Sequence, residues 1–480
     1  MFTIVQRTIV NIFIDMAPPA CFEHRHFRSG EGGNASHNGM GSLLMTGIIT
    51  DMAMIEGYRC IRCGARYGND IRFDSRGCPG CKDIAPANLQ PVYCAGGSST
   101  VPVGVRADLE NTLWRYASSL PCLEGGVVSL GEGLTPLMSA ERIGKALDVP
   151  HLFIKDESRN PTWSHKDRFS TVAVSAALSH GAKVVATASS GNAGASLAAY
   201  AAKAGLGCVV TTFAGAAGAM ISQIQAYGAS IVPMARKSHR WEFLRKAADQ
   251  YGWYVTSPYQ HPVVGSHPLG IEGYKTMAYE IFDQSGGNLP EWCVLPVCYG
   301  DALAGIAAGF CELLETGKAA RVPRLVAAEV HGSLSSALEK GVDKLDEQVA
   351  ACDTVAVSIG TTRSTYQALK AIRDSRGCAV CVTNDQLIRM QGTLARKEGM
   401  FAELASVAPL VAVQHLRERG EIKRDDRVVA IMTASGLKDL DVLSEPRNRR
   451  DTFHSVDDAW KWIGESTGAG REPFPAHRPF

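Results

Sequence analysis

The 480-residue sequence contains no apolar run long enough to cross a bilayer and no surplus of either charge, its 49 basic and 48 acidic residues leaving a net charge of +1. The first absence argues against a helical membrane span. The second, joined to the lack of a basic stripe or a long charge run, argues against nucleic acid as a partner. Short-period internal repeats are missing too, which argues against solenoid and propeller architectures. Cysteine is sparse for the length, with fourteen in all, so a secreted disulfide framework is not expected and a cytoplasmic, reducing compartment is. A chain this long accommodates two or three domains and a large buried core.

Four of the cysteines are grouped. Cys60 and Cys63 form one CxxC and Cys78 and Cys81 another, with fourteen residues between the pairs, a spacing that lets four thiolates close a tetrahedral zinc site. Gly64 after the first pair and Pro79-Gly80 inside the second provide the backbone bends that such knuckles need. The expectation is a structural zinc ribbon, with no open ligand position and so no catalytic role for the metal; the alternative is four unrelated free thiols. Cys378-Ala379-Val380-Cys381 has no matching pair, sits in an apolar strand-like run and reads as two core cysteines.

The first fifty residues differ in kind from the rest. Residues 8–14 are apolar, but Asp15 cuts the run short and Pro18-Pro19 and a His/Gly/Asn/Ser-rich stretch follow. A disordered extension is therefore preferred to a signal peptide, and a start codon assigned too early would also produce it. Gly96-Gly97-Ser98-Ser99 reads as a flexible connection. Beyond Asp441, the Arg/Asn-rich segment 447–451 precedes a short amphipathic piece at 456–463 and a Pro-rich end. The expected partition is an extension over 1–55, the ribbon over 56–95, a core of two α/β subdomains over 100–445 and a tail over 446–480.

Within the core, Asn160-Pro161-Thr162 breaks the apolar strand 151–155, because proline supplies no backbone donor and restricts its neighbour. An alanine-rich helix then begins at Lys166 and stops near Gly181. A charged lysine at a helix start opposes the macrodipole, so a neutral amine or an imine suits this position better. Taken alone, the segment reads better as a solvated lysine at an element boundary. Residues 189–196 follow the apolar run 184–188 and open a second alanine-rich helix; such a turn exposes backbone amides to an anion and offers the Asn192 side chain as a hydrogen bonder. The strand at 293–297 runs through Cys298-Tyr299-Gly300-Asp301-Ala302 into a helix, again a cradle for an anion. The buried run 428–432 ends in Thr433-Ala434-Ser435-Gly436-Leu437-Lys438-Asp439, placing hydroxyls at a strand's carboxyl end, where open α/β sheets bind ligands. Each of these loops, by itself, is also an ordinary strand-to-helix turn.

In their order, and together with segments 130–137, 270–280 and 398–406, these stretches resemble the fold type II family of pyridoxal-phosphate (PLP) enzymes, and within it the threonine synthase branch, over most of the chain. The resemblance implies two open α/β domains with the cofactor between them, plus an amino-terminal zinc ribbon like that of some threonine synthase-like enzymes. It implies that Lys166 holds the cofactor as a Schiff base and moves protons at the substrate carbons. Asn192 would hydrogen-bond the cofactor's phenolic oxygen, and Ser189, Ser190, Gly191 and Ala193 would meet the substrate carboxylate. Cys298, Tyr299, Gly300, Asp301 and Ala302 would cradle the cofactor phosphate through backbone amides and a helix terminus. Thr433 would face the pyridine nitrogen, where a neutral hydroxyl favours elimination and replacement over transamination.

The implied activity is conversion of O-phosphohomoserine and water to threonine and phosphate. Several departures from the family pattern matter. Gly270 stands where many threonine synthases carry an arginine, and the stretch 216–223, where they tend to place a lysine for the substrate phosphate, has none. Trp163 replaces a common glycine and His165 the usual aromatic, the latter read as a packed ring rather than a proton shuttle. Charge-assisted contacts contribute about 1.5–3 kcal/mol each, so a weaker grip on a phosphate ester is expected unless other cations, Lys275 or Arg363 among them, restore it. Two alternatives therefore stay open: a β-replacing or β-eliminating enzyme acting on a serine- or threonine-like substrate, cysteate synthase-like or dehydratase-like, and a non-catalytic PLP-fold binding protein. The expected partner is a small amino acid, with a homodimer left open.

Overall fold

The short apolar runs between glycine-rich turns become the strands of two parallel sheets. The computed structural model describes residues 55–69, 73–94, 109–121, 126–214, 216, 218–345, 349–440 and 452–467; most of the expected extension, the connection at 96–99 and the segment 447–451 lie outside them. At the amino-terminal side, β1 (Ile55–Cys60), β2 (Arg66–Gly68) and β3 (Leu89–Tyr93) form an antiparallel sheet with β1 in the middle. The core follows with β4 (Leu137–Ser139), α1 (Glu141–Ala146), β5 (Leu152–Asp156), α2 (Lys166–Ser179), β6 (Val184–Ala188), α3 (Asn192–Ala204) and β7 (Gly207–Phe213). Next come α4 (Ala219–Ala226), β8 (Ser230–Met234), α5 (His239–Tyr251), β9 (Tyr254–Val255), α6 (Pro268–Glu272), α7 (Lys275–Gln284), β10 (Trp292–Pro296) and α8 (Asp301–Glu315). The chain continues through β11 (Arg324–Glu329), α9 (Ser333–Glu339), α10 (Tyr366–Asp374), β12 (Cys378–Cys381), α11 (Asn384–Glu398), α12 (Ala408–Glu418) and β13 (Val428–Met432) to α13 (Val456–Thr467).

The larger sheet has the order β12-β11-β10-β13-β5-β4, parallel except for β4, and the smaller one the all-parallel order β8-β7-β6-β9. Side chains alternate along the strands of the larger sheet. Val294, Val326, Val428 and Ala430 pack with Leu387, Leu394, Val411 and Leu416 of α11 and α12. Cys293, Leu295, Leu325, Val429 and Ile431 pack on the opposite face with Met277, Ile306, Phe310 and Leu369 of α7, α8 and α10. Both faces are thereby covered, which accounts for the near-continuous apolar strand sequences. Strand β12 is the exception: it lies at an edge, with Cys378 half-buried and Cys381 exposed, so the pair expected to be core cysteines is not.

Helix α2 is fixed by a buried ionic cluster. The Arg168 guanidinium meets Glu157 at 2.7 Å and Glu280 at 2.6 Å, and Lys155 reaches Glu280 at 2.6 Å, all with fully buried side chains. Glycine permits the close approach of α2 to α6: a Cβ on Gly273 would lie 1.8 Å from the Arg168 carbonyl oxygen, and one on Gly270 2.4 Å from the Phe169 ring. The ribbon docks on the same region. Asn88 donates to the Ser266 carbonyl at 3.1 Å and to Gln367 at 3.2 Å, and the Arg62 guanidinium stacks 3.5 Å over the Tyr366 ring. Among the described residues no helix is long and apolar enough to cross a membrane.

Candidate active site and metal centre

The four stretches expected to carry the chemistry all leave the carboxyl ends of parallel strands, the ligand-binding side of open α/β sheets. Strand β5 leads through residues 157–165 to Lys166, β6 to the loop 189–193, β10 to the loop 298–302 and β13 to Thr433. Because β10, β13 and β5 are neighbours, three of these ends lie side by side. The Ser164–Ala434 bridge and a 2.8 Å bond from the His165 amide to the Thr433 carbonyl tie the lysine segment to the end of β13.

Lys166 begins α2 as a half-buried side chain whose Nζ lies 3.4 Å from the Tyr274 hydroxyl. The His165 ring stacks on Tyr274 with centroids 5.6 Å apart. Burial and the adjacent Lys166 amine push the His165 imidazole well below its ordinary range, so it is neutral and packed, as expected of it. Trp163 adopts φ +64° with a side chain 49% exposed; glycine would take this left-handed backbone without strain, which explains the family's preference there.

Asn192 opens α3, 7% exposed. Its Nδ2 donates to Glu403 at 2.7 Å, while its Oδ1 has no partner among the described residues. Glu403 is held by the Ser358 hydroxyl, and its amide bonds the Ala434 carbonyl at 3.1 Å. The smaller sheet's loop is thereby joined to the end of β13. In that loop the Gly191 amide donates to the Ser189 hydroxyl at 3.2 Å, Ser189, Ser190, Gly191 and Ala193 are half-buried, and α3 has no side-chain cap. The Thr433 hydroxyl is buried 2.8 Å from that of Ser406.

In the loop 298–302, Gly300 sits at φ +80° immediately before α8, a 15-residue helix also lacking a side-chain cap, so first-turn amides are left for an anion. The Asp301 carboxylate is turned to the Ser266 amide and hydroxyl and to Gln367. Only the backbone of Asp301 is left to face a phosphate. Burial pushes the Cys298 thiol up to about 11, with the Lys166 amine acting against it. The buried orphan on Asn192, the amine at α2 and the uncapped α8 fit the parts of pyridoxal phosphate: a hydroxyl-bearing ring, an aldehyde carbon and a phosphate.

Two cations named from the sequence fare differently from that expectation. Lys275 is fully buried and bridged to Glu272 at 2.6 Å and Glu312 at 2.8 Å, so it is not free to meet a substrate. Arg363 is part-buried in the loop before α10, with its Nε unpartnered. Residues to which the sequence gave no role are prominent: Tyr274 beside the lysine, Glu403 beneath Asn192, Arg168 behind the site and Lys438 after Thr433. All four lie in segments singled out for their pattern, and that was the available signal.

At the ribbon the four sulfurs of Cys60, Cys63, Cys78 and Cys81 lie within 4.8 Å of one another. The Cys60–Cys81 and Cys63–Cys78 separations are 3.7 and 3.8 Å. Gly64 lies at φ +73° in the first knuckle, and the Arg62 and Cys63 amides point to the Cys60 sulfur at 3.4 and 3.5 Å.

The family described as "Pyridoxal-phosphate dependent enzyme" matches residues 128–434. The threonine synthase of Methanocaldococcus jannaschii is 33% identical over 389 residues, covering 80% of this chain and 93% of that protein. The threonine synthase of Methanosarcina acetivorans is 32% identical over 404 residues, with 81% and 94% covered. Among solved structures, threonine deaminase isoform 2 of Solanum lycopersicum superposes with a TM-score of 0.54 at 18% identity, over 69% of this chain and 83% of that one. Maize serine racemase does so with 0.55 at 19%, over 69% and 93%, a likeness of fold. The extent of these matches places the chain in the pyridoxal-phosphate-dependent enzyme family, in its threonine synthase-like branch.

Proposed function

We propose that this chain is a lyase that converts O-phosphohomoserine and water to threonine and phosphate. The observation that carries the reading is that the Lys166 segment, through His165, and Asn192, through Glu403, are both tied to the Thr433 end of β13, in a chain about one-third identical to threonine synthases along most of its length. Lys166 would hold pyridoxal phosphate, with Asn192 at its phenolic oxygen, Thr433 at its ring nitrogen and the amides of 298–302 at its phosphate. Bound there, the cofactor supplies an electron sink for negative charge developing at the substrate's α-carbon. Lys166 takes the α-proton and moves a β-proton, while amides and hydroxyls of Ser189, Ser190, Gly191 and Ala193 hold the carboxylate. Phosphate leaves the γ-carbon with its bonding electrons, water adds its hydroxyl at the β-carbon, and the returned protons leave a γ-methyl group. The neutral His165 packs the lysine side of the site and is assigned no proton transfer.

A β-replacing or β-eliminating reaction is the second reading, favoured by Gly270, whose neighbour Phe169 occupies the space of any side chain there. A panel of O-phosphohomoserine, serine and threonine, scored for phosphate, threonine, keto acid and β-substituted product, separates the two. Threonine and phosphate in equal amounts from the phosphate ester are expected. Keto acid from unphosphorylated substrates, with no phosphate release from the ester, would replace the first reading by the second. A colourless protein without turnover would leave only a binding role.

The ribbon is read as holding one structural zinc. Bonds of about 2.3 Å to four tetrahedral sulfurs require S···S edges of about 3.8 Å, which the two short sulfur pairs match. Metal analysis of untreated protein is expected to return one zinc per chain, and Cys78→Ser to loosen the ribbon while leaving turnover close to that of the parent. Well-folded protein free of zinc would refute the assignment. The four-thiolate set supports a reducing cytosol as the working compartment, and a homodimer is the assembly this reading admits.

A further inference from the structure

The segment 433–439 enters the site through Thr433 and leaves Lys438 without a task. Lys438 ends the short 3-10 turn Gly436–Lys438, is 5% exposed, and its Nζ has no hydrogen-bond partner among the described residues. A buried amine with nothing to bond costs free energy whether charged or neutral, so the site wants an acceptor that the described residues do not supply. The two carboxylates whose charge reaches it are Asp167 and Glu403, and both are engaged elsewhere. Asp167 accepts from the Thr162 amide and hydroxyl and the Ser196 hydroxyl, each at 2.6 Å. Glu403 accepts from Asn192 and Ser358.

The turn follows β13 of the larger sheet and packs against α4, which joins two strands of the smaller one. Its charge acts on the His165 ring beside Lys166. Burial lowers the amine to about 8, with Asp167 and Glu403 working in the opposite direction, and it therefore remains largely protonated at neutral pH. Among the described residues other cations for a dianion are few: α4 carries no lysine, Gly270 is closed off by Phe169 and Lys275 is spent on Glu272 and Glu312, which leaves the part-buried Arg363 as the other candidate. The substrate carboxylate already has the amides of 189–193, which leaves the phosphate as the group in need of a cation.

Resting on the reading of this enzyme as one that takes a phosphorylated amino acid, we propose that Lys438 is the specificity residue that grips the substrate's leaving phosphate from the end of β13. The test uses the holoenzyme and its Lys438→Gln, Lys438→Met and Lys438→Arg variants. Inorganic phosphate is titrated in and followed by the visible band of the bound cofactor; L-threonine is titrated as the unphosphorylated control; and kcat and KM are measured for O-phosphohomoserine.

Both neutral variants are expected to weaken phosphate binding and to raise KM by about tenfold or more, with Lys438→Arg recovering most of the loss. Threonine binding is expected to stay within about twofold and kcat within about threefold, the pattern of a lost binding contact. Equal weakening for threonine and phosphate would move the amine to the carboxylate and overturn the proposal, as would unchanged phosphate binding or parent enzyme that binds no phosphate. Loss of the cofactor band in both neutral variants but not in Lys438→Arg would make Lys438 a structural cation, and overturn it as well. Phosphate binding that depends on Lys438 in an enzyme inert toward O-phosphohomoserine would sink the proposed reaction while leaving this inference standing.

Discussion

Replacing Lys166 with alanine is expected to lower turnover by a factor on the order of 10⁴, because in the proposed reaction one amine would both anchor the cofactor and move the protons. The geometry favours it over the lysine on the preceding strand. Lys155, on the strand just before it, is fully buried, and its amine is already bonded to Glu280 at 2.6 Å, the Thr135 carbonyl at 2.7 Å and Gln284 at 2.8 Å. Burial lowers the Lys155 amine from its ordinary value, Glu280 opposing, and no valence is left for a ligand. Among the described residues the Lys166 amine has a single hydrogen-bond partner, the Tyr274 hydroxyl at 3.4 Å. Borohydride reduction of the yellow enzyme followed by peptide mapping should mark Lys166. A label on Lys155, or a Lys166→Ala enzyme retaining a tenth of parent kcat, would be incompatible with the assignment.

The strand ends were legible in the sequence because strand, turn and helix each leave a local mark. The runs 184–188 and 428–432 coincide with β6 and β13, and the amine expected at a helix start is the first residue of α2. The roles of partners remote in sequence were not legible. Nothing local to Asn192 announces that Glu403, 211 positions away, takes its Nδ2, and nothing near Lys438 says that its amine will be buried unpaired. Cys378 and Cys381 were misjudged for a related reason: apolar composition marks a strand, but whether that strand is central or at an edge depends on the order of the whole sheet. Several segments that carry the family resemblance turn out to build the scaffold behind the site. Thr135, Arg168, Thr276 and Glu280 come from three such stretches and meet with Glu157 in one hydrogen-bonded cluster.

That cluster yields the largest expected change in stability. Arg168 donates to Glu157, Glu280, Thr135 and Thr276 through bonds of 2.6 to 3.1 Å, all buried. Removing it strands carboxylates in a medium that cannot solvate them, and breaking a buried pair from one side costs about 3–5 kcal/mol. Arg168→Ala should therefore lower the denaturant midpoint sharply. Arg168→Lys should recover little, since an ammonium cannot reproduce the planar fork that spans two carboxylates. Burial opposes charge on Glu280, yet Arg168 and Lys155 outweigh it and hold the carboxyl at about 2, below its ordinary 4.5. A depressed folded value stabilises the protein above the unfolded value, and this contribution is lost as pH falls through the folded one. In the parent, the Glu280 contribution should be complete above about pH 4.5 and decline toward pH 2, whereas Arg168→Ala should lack most of that slope. Because Lys166 lies two residues before Arg168 on α2, the same substitution should also loosen the cofactor, read as a weaker visible band at limiting pyridoxal phosphate. An Arg168→Ala protein with an unchanged midpoint and an unchanged acid limb would mean that the guanidinium and the two carboxylates do not hold α2, and that the lysine is positioned by packing alone.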